Sequence, residues 1–180
     1  MSEIALAIRV LVGLVFLTAA LGKLRHRLEF QGVVANYRLL PDRAVPIFAF
    51  ALPPIEIGVA AALLFVPSPW PATSAAALLI LFALGMGINI RRGRRAIDCG
   101  CFQSALRQTL SWILVARNGV LALALAVPAA VPDGALPVAG AAEALLTGTV
   151  LFVLLQSLNV LWGVVPAWQR RSTVTAGVEK

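Results

Sequence analysis

Cys99 and Cys101 are the only cysteines in the 180-residue chain, and a single glycine, Gly100, separates them in the run Asp98-Cys99-Gly100-Cys101-Phe102. In a turn or extended conformation, residues i and i+2 bring their Cα atoms within disulfide range. The ring that such a bond closes is small, and strain makes a disulfide easier to reduce, so the pair suits a redox couple better than a structural staple. Gly100 permits the backbone angles that a tight turn demands. Two other readings of the same residues stay open. Free cysteines are commonly buried as small hydrophobes, and two thiolates can form half of a metal site. Zinc needs four ligands, however, and within the chain only His26 adds to the two sulfurs, so no metal centre is expected.

A second set of reactive groups lies within long apolar stretches: Arg9, Glu56, Arg117 and Glu143. Ionisable side chains inside a membrane are costly, and they mark function or pairing. At the helical rise per residue, Arg9 lies roughly 22 Å from the basic end of its stretch, Glu56 roughly 18 Å and Arg117 about 11 Å. Arg9 and Glu56 match best in depth, and Arg117 reaches Glu56 only with its side chain extended. Asn118, Gln156 and Asn159 fall near the depth of Arg117. Facing inward, these four residues would form a polar floor beneath the cysteine loop. A neighbouring cation favours the thiolate, the form that attacks disulfides. Amides in such positions also serve simply to join helices. Glu143, near the other end of its stretch, is expected to be solvated.

The elements that must position these groups follow from composition. Hydrophobic residues make up 60% of the chain and charged residues 13%, with mean hydropathy +0.90; soluble domains hold about 25% charged residues. Five apolar segments, at about 4–24, 44–66, 72–90, 110–131 and 138–165, are near or above the length a helix needs to cross a bilayer. The fold class expected is all-α: a polytopic membrane bundle of about five transmembrane helices. The net charge of +7 sits in clusters beside the apolar segments, a pattern of topology signals and not of a nucleic-acid surface. The first segment is long for a signal-peptide core and Glu3 stands where a basic leader would, so a retained span is expected ahead of a cleaved signal peptide. Between the first two spans, residues 25–40 read equally as a short interfacial helix or as a basic loop. Pro53-Pro54 is expected to kink or interrupt the second span. No nucleotide or haem motif is present, and no cofactor is evident.

With those residues in view, the chain resembles the MauE family of methylamine-utilisation membrane proteins, relatives of DoxX-like proteins. The resemblance is carried by GLVFLTAALGKLRHRLEF, VVANYRLLP, PPIEIG, DCGCF and SWILVARNGVLALAL, in that order. One departure is Gln103, where the family pattern commonly continues CGCFG. The resemblance implies a DoxX-like four-helix core within a transmembrane domain at 1–168, followed by a polar tail at 169–180. It implies an inner-membrane protein needed to mature methylamine dehydrogenase, whose small subunit is rich in disulfides, acting with a thioredoxin-like partner of the MauD type. Carried over, Cys99 and Cys101 become the redox pair, and Glu56 and Arg117 the intramembrane polar positions. Two other functions remain: a non-catalytic scaffold that recruits the thioredoxin-like partner, or a quinone-linked oxidoreductase such as the DoxX relatives suggest.

Orientation follows from charge. Lys23, Arg25, Arg27, Arg38 and Arg43 flank one connection, and Arg91, Arg92, Arg94, Arg95 and Arg107 flank another, while 67–71 carries no charge and 128–137 only Asp133. The positive-inside rule then places the amino terminus outside and the carboxyl terminus and cysteine loop in the cytoplasm. A reporter active only outside the cytoplasm is therefore expected to be silent when fused after Ile97 and active when fused after Trp70. The reverse pattern would put the cysteines on the outer face.

Overall fold

The computed structural model describes residues 2–94, 109–130 and 137–175, the last stretch with side chains to residue 161. Cys99 and Cys101, with Asp98, Arg95 and Arg107, lie outside the described residues. The helices are α1 (Glu3–Arg25), α2 (Arg27–Tyr37), α3 (Val45–Phe65), α4 (Trp70–Arg91), α5 (Trp112–Ala124), the short α6 (Ala126–Ala130) and α7 (Val138–Thr175). Five of these units are long and apolar enough to cross a membrane, with α5 and α6 counted as one. The all-α expectation holds, and each apolar segment read from the sequence has its helix.

Local chemistry explains the boundaries. The Ser2 side chain accepts a hydrogen bond from the Ala5 amide at 3.2 Å and caps α1, with Glu3 favourably placed in the first turn. Proline stands in the first turn of both α3 and α4, where its missing N–H costs nothing. Residues 27–37 form a helix, and α2 ends on Arg38 in the left-handed conformation at φ 46°. Pro53 and Pro54 do not interrupt α3, which runs unbroken through them. They deprive the carbonyls of Ala49 and Phe50 of their helical donors, a loss that packing against neighbouring helices offsets in membrane spans. The break between α5 and α6 falls one turn before Pro128, whose absent N–H leaves the Ala124 carbonyl without its helical partner.

Helices α1, α3, α4 and α5 share one core, in which Val12 and Phe16 meet Ala60, Leu63, Leu79 and Leu121. Consecutive members run antiparallel. α2 covers the lower part of α3, with Phe30 and Val34 packed on Val45, Ala49 and Leu52. Outward faces carry exposed apolar residues such as Ile47, Phe50, Leu84, Val120 and Leu154, as a lipid-facing surface requires. Helix α7 stands outside this core and runs parallel to α1, with Gly140 beside Glu3 and Gly148 beside Ala7 and Val10. Its buried stripe of Gly140, Ala144 and Gly148 is made of small residues, which let two helix backbones approach closely.

The approach is tight at one point. A Cβ added at Gly148 would sit 2.6 Å from the Ala7 carbonyl oxygen and 2.8 Å from Val10 Cβ, so a backbone must move. At Gly140 the nearest atom, 2.5 Å away, is the end of the flexible Glu3 side chain. Gly148→Ala is expected to cost about 1–3 kcal/mol by overpacking, and Gly140→Ala distinctly less, read as thermal unfolding of the purified protein in detergent. Equal midpoints for both variants would show that α7 is not seated this closely.

Candidate functional site

The face of α1 that turns inward carries Ala5, Arg9, Val12, Phe16, Ala20 and Lys23, so the helix buries two cations as well as apolar side chains. They lie fourteen residues apart, close to four turns, and therefore on one face. Helical side chains lean toward the amino terminus, so each cation acts nearly a turn above its own Cα.

Arg9 reaches the turn after α3. Its Nη1 donates to the Val66 carbonyl at 2.8 Å and its Nη2 to the Ser68 carbonyl at 2.6 Å. Val66 caps the carboxyl end of α3, where unpartnered carbonyls and the helix dipole both favour a cation. Glu56 lies ten residues before Val66, about 15 Å lower along α3. The depth match of Arg9 with Glu56 is thus overturned: Arg9 closes the opposite end of the helix pair.

Glu56 accepts a hydrogen bond from Lys23 Nζ through Oε1, in an ion pair whose side chains are 6% (lysine) and 0% (glutamate) exposed. The ammonium also lies 5.4 Å from the centroid of Phe30 on α2 and 5.3 Å from that of Phe82 on α4, within cation–π range. The site is therefore assembled from four helices. Sequence reasoning missed Lys23 because it counted the residue among the loop charges. The signal lay in its spacing, since Lys23 continues the stripe of Arg9, Val12, Phe16 and Ala20.

The polar floor forms in part. Arg117 Nη1 donates to Asn159 Oδ1 at 3.0 Å, and Asn159 Nδ2 donates to Gln156 Oε1 at 3.2 Å, joining α5 to α7. Asn118 is buried but turns back on its own helix, donating to the Leu114 carbonyl at 3.0 Å. Asn89 does likewise, donating to Gly85 at 3.1 Å. Glu143 is exposed, as expected. Among the described residues no group of three or more His, Cys, Asp or Glu side chains is placed to hold a metal ion. The chain leaves α4 at the basic end of the bundle, where Arg94 Nη1 donates to the Asn36 carbonyl at 3.4 Å. It returns beside Met86 and Ile90 through Leu110 and Leu114. The segment holding the two cysteines therefore starts and finishes at the end of the bundle that carries Lys23.

The family model described as "Methylamine utilisation protein MauE" matches residues 1–131. The chain belongs to the MauE family. It is 46% identical over 173 residues to the methylamine utilization protein MauE of Paracoccus denitrificans, covering 93% of this chain and 91% of that protein. It is 46% identical over 164 residues to that of Paracoccus versutus, with 87% and 86% covered. With that of Methylophilus methylotrophus the identity is 50% over 100 residues, 54% of this chain and 52% of the relative. No solved structure matches the chain significantly. The MauE match spans the four-helix core, the Lys23–Glu56 pair and both cysteines, and it ends before α7.

A buried pair of this kind holds only while both charges are present. Glu56→Leu would leave a buried ammonium without its carboxylate, at about 3–5 kcal/mol by analogy with soluble cores. Glu56→Gln, which keeps an acceptor, should cost less. The double variant Lys23→Met/Glu56→Leu removes both charges and should recover most of the loss. Thermal midpoints of these proteins and of Lys23→Met in detergent test this; additive effects of Lys23→Met and Glu56→Leu in the double variant would dissolve the pair as an energetic unit.

Proposed function

We propose that this chain serves methylamine utilisation as an inner-membrane thiol–disulfide factor that helps a disulfide-containing client, such as methylamine dehydrogenase, to mature. The single observation that carries the reading is the Cys99-Gly100-Cys101 pair in a chain that matches the MauE family through that segment. The placement of the segment's two ends on a well-packed four-helix core supports it, because a redox pair needs a fixed anchor in the membrane.

The exchange balances without further components. One cysteine, as thiolate, attacks a disulfide of a thioredoxin-like partner and forms a mixed disulfide, releasing one partner thiolate. The second cysteine then attacks the mixed disulfide, and the partner leaves as a dithiol while Cys99 and Cys101 are joined. Run backward, the same steps pass the disulfide to the partner. The two electrons and two protons move between the pairs in either direction, and the reduction potentials set which direction prevails. The basic residues gathered at this end of the bundle, including Arg91, Arg92 and Arg94, favour a thiolate near them. The same clustering supports the cytoplasmic placement of the loop.

Cys99→Ser or Cys101→Ser is expected to trap the partner in a covalent adduct, seen on a non-reducing gel and absent after reduction. The double variant should trap nothing, abolish client maturation, and still insert and unfold at the parental temperature. Full maturation with the double variant would make the cysteines dispensable and favour the scaffold function instead.

A further inference from the structure

Helix α2 borders two apolar spaces. One, a cavity of about 390 Å³, lies beside Lys23 between α2 and α4, and its lysine already belongs to the pair with Glu56. The other is a groove of about 570 Å³ on the far flank of the α2–α3 contact. Arg27 and Gln31 line it from one face of α2, about a turn apart, and Pro46, Phe50 and Pro54 line it from α3. Those three residues of α3 are exposed, so the groove opens on the outer surface of the bundle. Exposed charges and exposed apolar side chains stand together here, Arg25, Arg27 and Glu29 with Leu28, Ile47 and Phe50. That mixture fits the boundary between lipid head groups and hydrocarbon.

The polar groups of the groove have donors to spare. Arg27 gives its Nε to the Leu24 carbonyl at 3.3 Å. Among the described residues, neither its two terminal nitrogens nor the Gln31 amide has a further hydrogen bond. Arg27 is the one charged side chain among the described residues that line the groove. Glu29, the acidic residue of α2, lies on the opposite face of the helix, 3.4 Å from His26 Nδ1. The groove thus pairs a positive, planar fork of donors and an amide with apolar walls. A hydrocarbon alone would leave the guanidinium without an acceptor. A zwitterionic head group would bring a cation for which the groove holds no acid. The phosphodiester of a net-anionic lipid gives one oxygen to the guanidinium and another to the amide, and carries its acyl chains on the same molecule. We infer that this groove binds an anionic phospholipid, its phosphate on Arg27 and Gln31 and one acyl chain laid along Phe50 and Pro54. The site is independent of the thiol chemistry proposed above.

The test uses the full chain, purified in detergent and titrated with dioleoylphosphatidylglycerol or dioleoylphosphatidylcholine, with bound lipid counted by native mass spectrometry. The phosphatidylglycerol should bind more tightly than the phosphatidylcholine, whose acyl chains are the same. Arg27→Gln should weaken it about tenfold, the loss of a hydrogen bond between charged groups. Gln31→Leu and Phe50→Ala should weaken it less, one through the phosphate and the other through the chain. Arg38→Gln removes an equal charge from an exposed residue that does not line the groove, and should leave binding unchanged. Arg27, Gln31 and Phe50 are exposed or half-buried, so each variant should unfold near the parental temperature. Equal weakening by Arg27→Gln and Arg38→Gln would reduce the preference to diffuse charge attraction and overturn the site. Undiminished binding by both Gln31→Leu and Phe50→Ala would overturn the groove as the seat of the lipid. Phosphatidylcholine binding as tightly, or oleate or inorganic phosphate displacing the phosphatidylglycerol at equal concentration, would overturn the assignment of the ligand.

Discussion

The buried contact between Lys23 and Glu56 sets terms for the rest of the bundle. Separately, each charge would be too costly to keep in an apolar interior; together they require α1 and α3 to meet at one height. They also require something to cover the pair, and α2 and α4 do so by bringing Phe30 and Phe82 to the ammonium. The helical segment after α1 is thus more than a connection. By folding back on the lower part of α3 it shuts water out and shapes the cavity beside the lysine.

The sequence makes the spans legible because a bilayer imposes a length and an apolar composition that few other environments demand. The departures are local. α4 starts at Trp70, ahead of the segment read from 72, since Pro69 and Pro71 fit a helix start. The second span survives two prolines because neighbouring helices, absent from any one-dimensional reading, hold it. The partner of Glu56 was illegible by depth alone: reckoning from Cα positions ignores the lean of long side chains, which moves Arg9 past Glu56 and brings Lys23 up to it. The link from Arg117 to Asn159 and Gln156 was anticipated from shared depth, whereas Asn118 bonds its own helix, a choice that depth cannot distinguish.

A division of labour between core and periphery follows from the packing. The MauE match ends at residue 131, at the limit of the helices that share the central core. α7 adds a fifth span through a narrow stripe of small residues against α1 and through the amides that meet Arg117. Over residues 138–161 most of its surface faces outward and is apolar. The two cysteines belong to the stretch between α4 and α5, so the chemistry proposed here sits on the core and not on this added helix.

Arg9 and Lys23 together have a mechanical consequence. They fasten one helix to its neighbour at two points whose Cα positions are about 21 Å apart along the axis, one on the carbonyls closing α3 and the other on a carboxylate near its middle. A piston-like slide of α1 by a single turn, about 5.4 Å, would break both fastenings at once and leave two cations buried without their partners. The α1–α3 hairpin is therefore locked in register and moves as one body. Any shift that accompanies work at the loop end must be a tilt of that body, or a movement of α2 against it.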